Sequence, residues 1–327
     1  MNRSMVTSYS SREVSVPASF LRGAPTTPVS ITRVNFPKTP LSARGASYAV
    51  VLDNVLSPAE CAQMLQYCEQ SSLTYDTGKP WATALVNVGA GREVLATDYR
   101  NSERIIWDSQ DLMDRLWQRC LRADGLAEDL SVLDGRNKMQ ESAMGGAARK
   151  TKWRTAPETW KVSRLNDRMR FLRYEPGMFF REHCDGHYTH PPTKEKSWFT
   201  LQLYLSDSIE AVRPGAEPFV CHEPESASSS SWLDSINPFS GKGQDTNAAE
   251  SSEGPVYGLD GTEATLSGGA TTFFTDDMRA SIDVFPRAGR VLIFQQRGLL
   301  HSGGDVNAGV KYTMRTDLMY SQVLAKE

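Results

Sequence analysis

The most informative segment of the chain is Arg170-Phe-Leu-Arg-Tyr-Glu-Pro-Gly-Met-Phe-Phe-Arg-Glu-His-Cys-Asp-Gly186. Its two apolar runs are separated by the turn signal Glu-Pro-Gly, which predicts one strand on either side. Side chains alternate between the two faces of a strand, so His183 and Asp185 at a strand end can point the same way. This His-x-Asp pair is a candidate for two of the ligands of a metal ion.

Short apolar runs bounded by turn residues recur through the second half of the chain. They predict strands at 169–174, 179–183, 199–205, 270–275, 281–286, 290–295 and 310–320. Such a series predicts a mainly β fold, either a sandwich or a jelly roll. Earlier in the chain we expect a strand at 48–52, a helix that begins at Ser57-Pro58-Ala59-Glu60 with a capping box, and an amphipathic helix at 109–121.

Composition divides the chain into regions. Residues 1–45 are rich in Ser, Thr, Pro and Arg, which predicts a disordered or loosely docked arm, with a mitochondrial transit peptide as the alternative. Residues 46–327 are expected to form a single domain, with helical support over 46–159 and the β core over 160–323. Residues 208–263 are predicted to be a long, largely irregular insertion, and 124–158 a mobile loop or a poorly packed helix.

Overall composition excludes several classes of function. The chain has 327 residues, of which 39% are hydrophobic and 23% charged, and its formal net charge is −3. It has no long basic block and no apolar run of about 18 residues, so neither nucleic-acid binding nor a membrane span is expected. Its five cysteines are scattered without Cys-x-x-Cys spacing, which indicates reduced thiols and a cytoplasmic location. Nothing in the sequence indicates an oligomeric state.

A third metal ligand must come from a distant part of the chain. Among the five histidines, only His301 both follows a predicted strand and opens a glycine turn. His183, Asp185 and His301 together would form a facial triad, a ligand set that suits Fe(II) and leaves positions open for a co-substrate and O₂.

A basic strand follows the third candidate ligand. Lys311, Thr313 and Arg315 share one strand face by alternation. A cation inside a β barrel is costly unless an anion meets it, and a dicarboxylic keto acid that chelates iron with one end needs such a cation at its other end. The alternative is that this face points to solvent and its charges are simply hydrated.

The stretch from 160 to 320 resembles the catalytic domain of prolyl 4-hydroxylase-type 2-oxoglutarate/Fe(II) dioxygenases, and the likeness extends more weakly back to 52–69. The resemblance implies a cupin-like double-stranded β-helix, with flanking helices. It also implies that His183, Asp185 and His301 bind iron at the catalytic centre. Lys311 matches the residue that holds the C5 carboxylate of 2-oxoglutarate, and Arg315 is the second candidate for that role.

Other residues would line the co-substrate pocket. Tyr174 matches a tyrosine near 2-oxoglutarate, Tyr204 matches a tyrosine that meets the C5 carboxylate, and Thr200 and Gln202 precede Tyr204 on the same strand face.

The activity that the resemblance implies is hydroxylation of an unactivated C–H bond, coupled to decarboxylation of 2-oxoglutarate to succinate. It needs Fe(II), 2-oxoglutarate and O₂, with ascorbate as reductant. A carboxylate at 185 favours hydroxylation over halogenation. The substrate stays open between prolyl residues of a protein or peptide and a small molecule such as an amino acid or secondary metabolite. Two further alternatives are a cupin-like enzyme that does not use 2-oxoglutarate and a non-catalytic jelly-roll protein that binds or senses metal.

Overall fold

The computed structural model describes residues 5–6, 8–89, 91–148, 158–224 and 255–323. The strands of the first half are β1 (Met5–Val6), β2 (Ser30–Arg33), β3 (Ala49–Asp53), β4 (Ala82–Thr83), β5 (Val86–Asn87), β6 (Arg92–Val94), β7 (Arg100–Asn101), β8 (Glu103–Asp108) and β9 (Val132–Leu133). The helices are α1 (Pro58–Ser71), α2 (Gln110–Cys120), α3 (Leu126–Leu130), α4 (Lys138–Met144) and α5 (Ile209–Val212).

The second half of the chain supplies the strands that form the core. They are β10 (Thr159–Leu165), β11 (Arg168–Tyr174), β12 (Phe179–His183), β13 (Lys196–Tyr204), β14 (Val220–His222), β15 (Ser267–Gly268), β16 (Thr271–Phe274), β17 (Ser281–Val284), β18 (Val291–Gln295), β19 (His301–Gly303), β20 (Val306–Ala308) and β21 (Lys311–Val323). Each of the strands predicted between 169 and 320 is present, with ends that differ by a few residues.

Eight of these strands form two facing antiparallel sheets. The larger sheet contains the order β18-β13-β21-β11, and the smaller sheet contains the order β17-β16-β19-β12. The chain crosses from one sheet to the other as it passes from β11 to β12, from β12 to β13 and again from β18 to β19. This strand order is that of a jelly roll, so the predicted mainly β fold with flanking helices is confirmed.

Additional strands extend both sheets. In the larger sheet β3 and β2 continue beyond β18, and β8 and β4 continue beyond β11. In the smaller sheet β14 lies beyond β17, and β7 pairs with β12. The last of these pairings matters for the site, because it brings a segment near residue 100 to the mouth of the barrel.

The helices cover the outer face of the larger sheet. Ser57 caps α1 as predicted: its side chain accepts a hydrogen bond from Glu60 N, and its own backbone N–H donates to the Glu60 carboxylate at 2.8 Å. Met64 of α1 and Leu116 of α2 are buried in the same apolar cluster as Phe171 of β11. The helices therefore support the back of the sheet and leave its other face to line the interior of the barrel.

The turn between β17 and β18 depends on glycine. Gly289 has a φ of +80°, and a Cβ atom there would lie 1.8 Å from the carbonyl oxygen of Leu56. The Gly289 carbonyl in turn accepts a hydrogen bond from Val55 N at 3.0 Å. The turn signal Arg-Ala-Gly in the sequence therefore marks a position where the chain before α1 packs directly against the barrel.

The N-terminal segment differs from the expectation of a disordered or loosely docked arm over 1–45. Residues 30–33 form an edge strand of the larger sheet, and Phe20 and Leu21 are buried in the main apolar cluster. The Arg119 guanidinium donates to the carbonyl oxygen of Leu21 at 3.1 Å. The prediction was wrong for the described part of this segment because its apolar residues are spaced irregularly, and several of them are nevertheless buried.

The region 124–158 also differs from its prediction in the part that the structure describes. Instead of a mobile loop or poorly packed helix, it contains α3 and α4, whose residues Leu126, Leu130, Ala143 and Met144 are buried. Residues 149–157 lie outside the described residues. The polar composition hid these helices because each is short and buries only one narrow stripe.

The expected insertion over 208–263 is described only at its two ends. α5 follows β13, and β14 adds an antiparallel edge to β17. Residues 225–254 lie outside the described part of the chain. Within the described residues, no helix has the length and apolar character needed to cross a membrane.

Candidate metal centre

Three side chains from two neighbouring strands meet at one end of the barrel. His183 is the last residue of β12, and His301 is the first residue of β19, and the two are paired in the antiparallel register of these strands. Asp185 lies just after β12. His183 Nε2 is 3.7 Å from one carboxylate oxygen of Asp185, and His301 Nε2 is 3.8 Å from the other.

The spacing of these three groups suits a single ion. One ligand atom from each residue lies within 4.8 Å of those from the other two. Asp185 and His301 are buried, whereas His183 is partly exposed. In the part of the chain that the structure describes, this is the cluster of His, Cys, Asp and Glu side chains with metal-binding geometry.

Backbone carbonyls fix the tautomer of both imidazoles. His183 Nδ1 lies 2.7 Å from the carbonyl oxygen of Arg181, and His301 Nδ1 lies 2.9 Å from that of Leu299. Because a carbonyl can only accept, each Nδ1 carries the proton and each Nε2 presents its lone pair towards Asp185. This is the tautomer that a metal-binding histidine needs.

Both rings are held neutral by their surroundings. Burial, and to a lesser extent the neighbouring His301, lowers the pKa of His183 to about 3. Burial also lowers the pKa of His301. Neutral imidazoles are ready to bind a cation without first losing a proton.

The carboxylate is held ionised. Burial alone would raise the pKa of Asp185, but the positive charge of Arg315 is the largest of the effects that outweigh it and hold the pKa at about 2. Thr200 Oγ1 donates to one oxygen of Asp185 at 2.5 Å, and Arg315 Nη2 lies 2.9 Å from the other. Two neutral nitrogens and one anionic oxygen form a donor set that fits a divalent transition metal such as Fe(II).

Aromatic side chains restrain the imidazoles. The Phe180 ring stacks on His183 with a centroid distance of 3.8 Å, and Phe294 meets His301 edge-on at 4.7 Å. Phe294 is buried, and Phe180 lines the cavity beside the triad. The apolar rings limit rotation of the ligands and reduce access of water to them.

A buried lysine lies in the same cavity. Lys311 begins β21 and is 2% exposed, and its Nζ lies 5.0 Å from the centroid of the Tyr174 ring. Within the described residues no carboxylate pairs with it, and burial lowers its pKa to about 7. The absence of a side chain at Gly269 leaves room for the lysine, because a Cβ atom there would lie 3.0 Å from Lys311 Cδ. An unpaired buried cation of this kind is stabilised when an anion binds beside it.

Of the other residues that the sequence predicted for the co-substrate pocket, some line the cavity and others do not. Tyr174, Gln202 and Arg315 line the cavity, whereas Thr200 lies behind Asp185. Tyr204 is fully buried, and its hydroxyl donates to Thr271 Oγ1 at 2.7 Å instead of lining the cavity.

Thr271 was not anticipated from the sequence. Its hydroxyl oxygen accepts hydrogen bonds from both Tyr204 and Gln202 Nε2, each at 2.7 Å. Two accepted bonds orient the hydroxyl and leave its own proton available, and Thr271 lines the cavity. Thr271 therefore offers the cavity a fixed hydroxyl donor.

Two arginines in the cavity were also missed. Arg170 lies on the same strand face as Tyr174 by alternation, so the pattern that selected Tyr174 could also have found Arg170. Arg100 reaches the cavity because β7 pairs with β12, where Arg100 is opposite Phe180. No motif in the sequence links that position to the triad.

Comparison with known proteins gives matches at the level of solved structures. No family profile matches the chain, and no curated protein matches its sequence. A Pseudomonas putida prolyl-4-hydroxylase matches with 12% identity and a TM-score of 0.41, over 87% of this chain and 95% of that one. The viral collagen prolyl hydroxylase of Paramecium Bursaria Chlorella virus-1, as a 2OG complex, matches with 14% identity and a TM-score of 0.37, over 84% and 96%.

A third match is to a Trichoplax adhaerens prolyl hydroxylase in complex with a peptide fragment of the hypoxia inducible factor oxygen degradation domain. It has 10% identity and a TM-score of 0.40, over 87% of this chain and 85% of that one.

Proposed function

We propose that this protein is an Fe(II)/2-oxoglutarate-dependent dioxygenase that hydroxylates an unactivated C–H bond. The observation that carries the proposal is the pairing, in one cavity, of a His-Asp-His triad with an unpartnered buried lysine. The triad can bind the metal on one side only, and the lysine can hold the far end of a dicarboxylic acid whose near end reaches the metal.

The triad residues would hold iron through His183 Nε2, His301 Nε2 and an oxygen of Asp185. Hydrogen bonds from each Nδ1 to a backbone carbonyl orient the imidazoles, and Thr200 orients the carboxylate. These contacts fix the orientation of all three ligands in the site.

Lys311 and Thr271 would hold the C5 carboxylate of 2-oxoglutarate. A protonated lysine and an oriented hydroxyl are the two donors that a buried carboxylate needs. Lys311 is preferred to Arg315 for this role because Arg315 lies 2.9 Å from Asp185, too close to the metal position for the far end of the co-substrate. Tyr174 lies beside Lys311 and Gln202 supports Thr271, so both contribute indirectly to the same end of the cavity.

When bound, Fe(II) with 2-oxoglutarate and O₂ supplies the oxidising power, and the overall reaction yields succinate, CO₂ and a hydroxylated product. The protein binds and orients the reactants, and Phe180 and Phe294 exclude water around the imidazoles. Ascorbate would serve as the reductant that keeps iron in the ferrous state. The substrate would be a prolyl residue of a peptide or protein, or a small molecule.

Succinate formation tests the proposal. Purified protein with Fe(II), ascorbate and 2-oxoglutarate should release succinate slowly, and faster when a substrate is added. Asp185→Ala should nearly abolish this release because the metal loses its anionic ligand. His222→Ala is the matched control, since His222 is an exposed residue that pairs with Asp283 outside the cavity. Wild-type turnover by Asp185→Ala would exclude this metal site.

Binding of the co-substrate separates the enzyme from a non-catalytic metal-binding protein. A protein that binds Mn(II) in the triad but shows neither binding of 2-oxoglutarate nor formation of succinate would be a metal-binding or sensing jelly roll. A cupin-like enzyme without 2-oxoglutarate would give the same result, because it has no need of a cation at Lys311.

A further inference from the structure

The cavity beside the triad has an excess of cations. Arg100, Arg170, Lys311 and Arg315 line it, and Asp185 is the one acidic residue among the described residues that do so. Asp185 belongs to the metal site. The four cations that line the cavity therefore carry more positive charge than the single carboxylate of Asp185 can balance.

The strand register separates these cations into two groups. On β11 and β21, Tyr174 lies opposite Lys311, and Arg170 lies opposite Arg315. Four residues of extended strand span about 13 Å, so the two arginines lie at the other end of this strand pair from Lys311. If 2-oxoglutarate occupies the space between the metal and Lys311, the arginine end stays available for another molecule.

Buried carboxylates satisfy the arginine pair only in part. Arg315 Nη2 lies 2.9 Å from Asp185, and Asp317 lies near both arginines. Arg170 Nη1 is 3.3 Å and Arg315 Nη2 3.7 Å from opposite oxygens of Asp317, which also accepts a hydrogen bond from Gln296 at 3.0 Å. The Nε atom of Arg315 is buried without a hydrogen-bond partner. Among the described residues, Arg170 therefore pairs only with Asp317, which it shares with Arg315, and the Nε donor of Arg315 is left unsatisfied.

Arg100 adds a third guanidinium from the opposite sheet, close enough to Arg315 for the two charges to interact. It lies over the Phe180 ring at 4.6 Å and donates to the Leu85 carbonyl and the Ser102 hydroxyl. No carboxylate pairs with it among the described residues. Burial, together with the nearby cations, lowers its pKa to about 10, so it stays charged at neutral pH.

We propose that the substrate of this enzyme carries its own carboxylate, which Arg100 and Arg170 bind while 2-oxoglutarate occupies the end near Lys311. The inference rests on the proposed function and goes beyond it by assigning the chemical class of the substrate. Guanidinium groups recognise carboxylates through paired hydrogen bonds, and an anion placed here would satisfy donors that the protein leaves open. The bound carboxylate would fix which C–H bond faces the metal.

A simple anion probes this second site directly. The protein is saturated with Mn(II), which supports no turnover, and with 2-oxoglutarate, and then titrated with propionate or with the neutral propionamide at constant ionic strength. Propionate at about ten times its dissociation constant should raise Tm by roughly 2–4 °C, and propionamide should not. The same titration is run on Arg100→Gln, on the double variant Arg100→Gln/Arg170→Gln, and on Arg173→Gln.

Arg173→Gln is the matched control because Arg173 lies on the outer face of the same strand and pairs with Glu103 and Glu175. It should respond to propionate like the wild type. The double variant should lose the propionate response, and Arg100→Gln alone should lose most of it, which keeps the test valid if the double variant folds poorly. Equal responses to propionate and propionamide, or a wild-type response in either Arg100 variant, would overturn the assignment.

Binding of 2-oxoglutarate, measured first in each protein, distinguishes failure of this inference from failure of the proposed function. If 2-oxoglutarate does not bind the wild type, the proposed function fails. If it binds wild type and double variant alike and propionate has no effect, only the carboxylate site fails. Acid and amide forms of small molecules and of short peptides, followed by a mass gain of one oxygen, then identify which kind of acid is hydroxylated. A neutral amide oxidised better than its acid would contradict the proposal.

Discussion

Arg315 lies 2.9 Å from Asp185, so the carboxylate that completes the triad is also paired with a partly buried guanidinium. This contact keeps Asp185 ionised despite its burial. It also means that the positive charge of Arg315 limits how much negative charge the site presents to a metal ion.

The first prediction concerns metal affinity. Asp185→Asn keeps the shape of the side chain but removes its charge, so we expect Mn(II) affinity to fall by more than about 100-fold. The measurement is a competition titration against a chelator of known affinity. His222→Ala should bind like the wild type, and an unchanged affinity in Asp185→Asn would show that the metal binds elsewhere.

The second prediction concerns the residue behind the carboxylate. Thr200→Val removes the hydrogen bond to Asp185 without changing the size of the side chain, and should weaken Mn(II) binding by about 10-fold. Thr316→Val is a suitable control because Thr316 is equally buried but donates to the carbonyl of Asn166. If both variants lose the same affinity, the effect comes from general destabilisation of the fold.

The third prediction is that replacing Lys311, which is proposed to bind the co-substrate, makes the protein more stable. Lys311→Met should raise the free energy of unfolding by about 1–4 kcal/mol, because an uncompensated buried charge is replaced by an apolar chain of similar length. The gain should be full below pH 7 and should fade as the pH approaches 10.5, since the folded pKa is about 7 and the ordinary value is 10.5. Urea unfolding at several pH values measures it. A loss of stability below pH 7 would show that Lys311 is already well compensated in the free protein.

The fourth prediction is the pH dependence of co-substrate binding. Lys311 has a pKa of about 7 in the free protein, and a bound carboxylate would raise it. The affinity for 2-oxoglutarate should therefore be constant below pH 7 and fall by up to roughly tenfold per pH unit above it. Calorimetric titration between pH 6 and 9 checks this, and Lys311→Arg should give a flat profile because arginine stays charged. A flat profile in the wild type would contradict the assignment.

Much of the site could be predicted from the sequence because it depends on local rules. Strand alternation placed His183 and Asp185 on one side, and a glycine turn after an apolar strand selected His301. Alternation also grouped Lys311, Thr313 and Arg315, but it could not tell which face of the strand was buried. The structure shows that Lys311 and Thr313 face the interior, being 2% and 1% exposed.

Other features depend on contacts between distant segments, which sequence patterns do not encode. Arg100 enters the cavity through the pairing of β7 with β12. Thr271, and not Tyr204, lines the cavity, because Tyr204 is fully buried in the core and only its hydroxyl reaches Thr271. The packing of Phe20 and Leu21 was missed for a similar reason, since isolated apolar residues in a polar segment show no period.

Calorimetric titration of 2-oxoglutarate into Mn(II)-loaded protein at pH 6.5, compared with Lys311→Met and with metal-free wild type, shows whether the triad and Lys311 bind one molecule together. We expect one molecule to bind per chain in the loaded wild type, and affinities at least about 100-fold weaker in both other samples. If 2-oxoglutarate binds equally well with and without metal, or equally well to Lys311→Met, then the triad and Lys311 do not bind opposite ends of the same dicarboxylic acid.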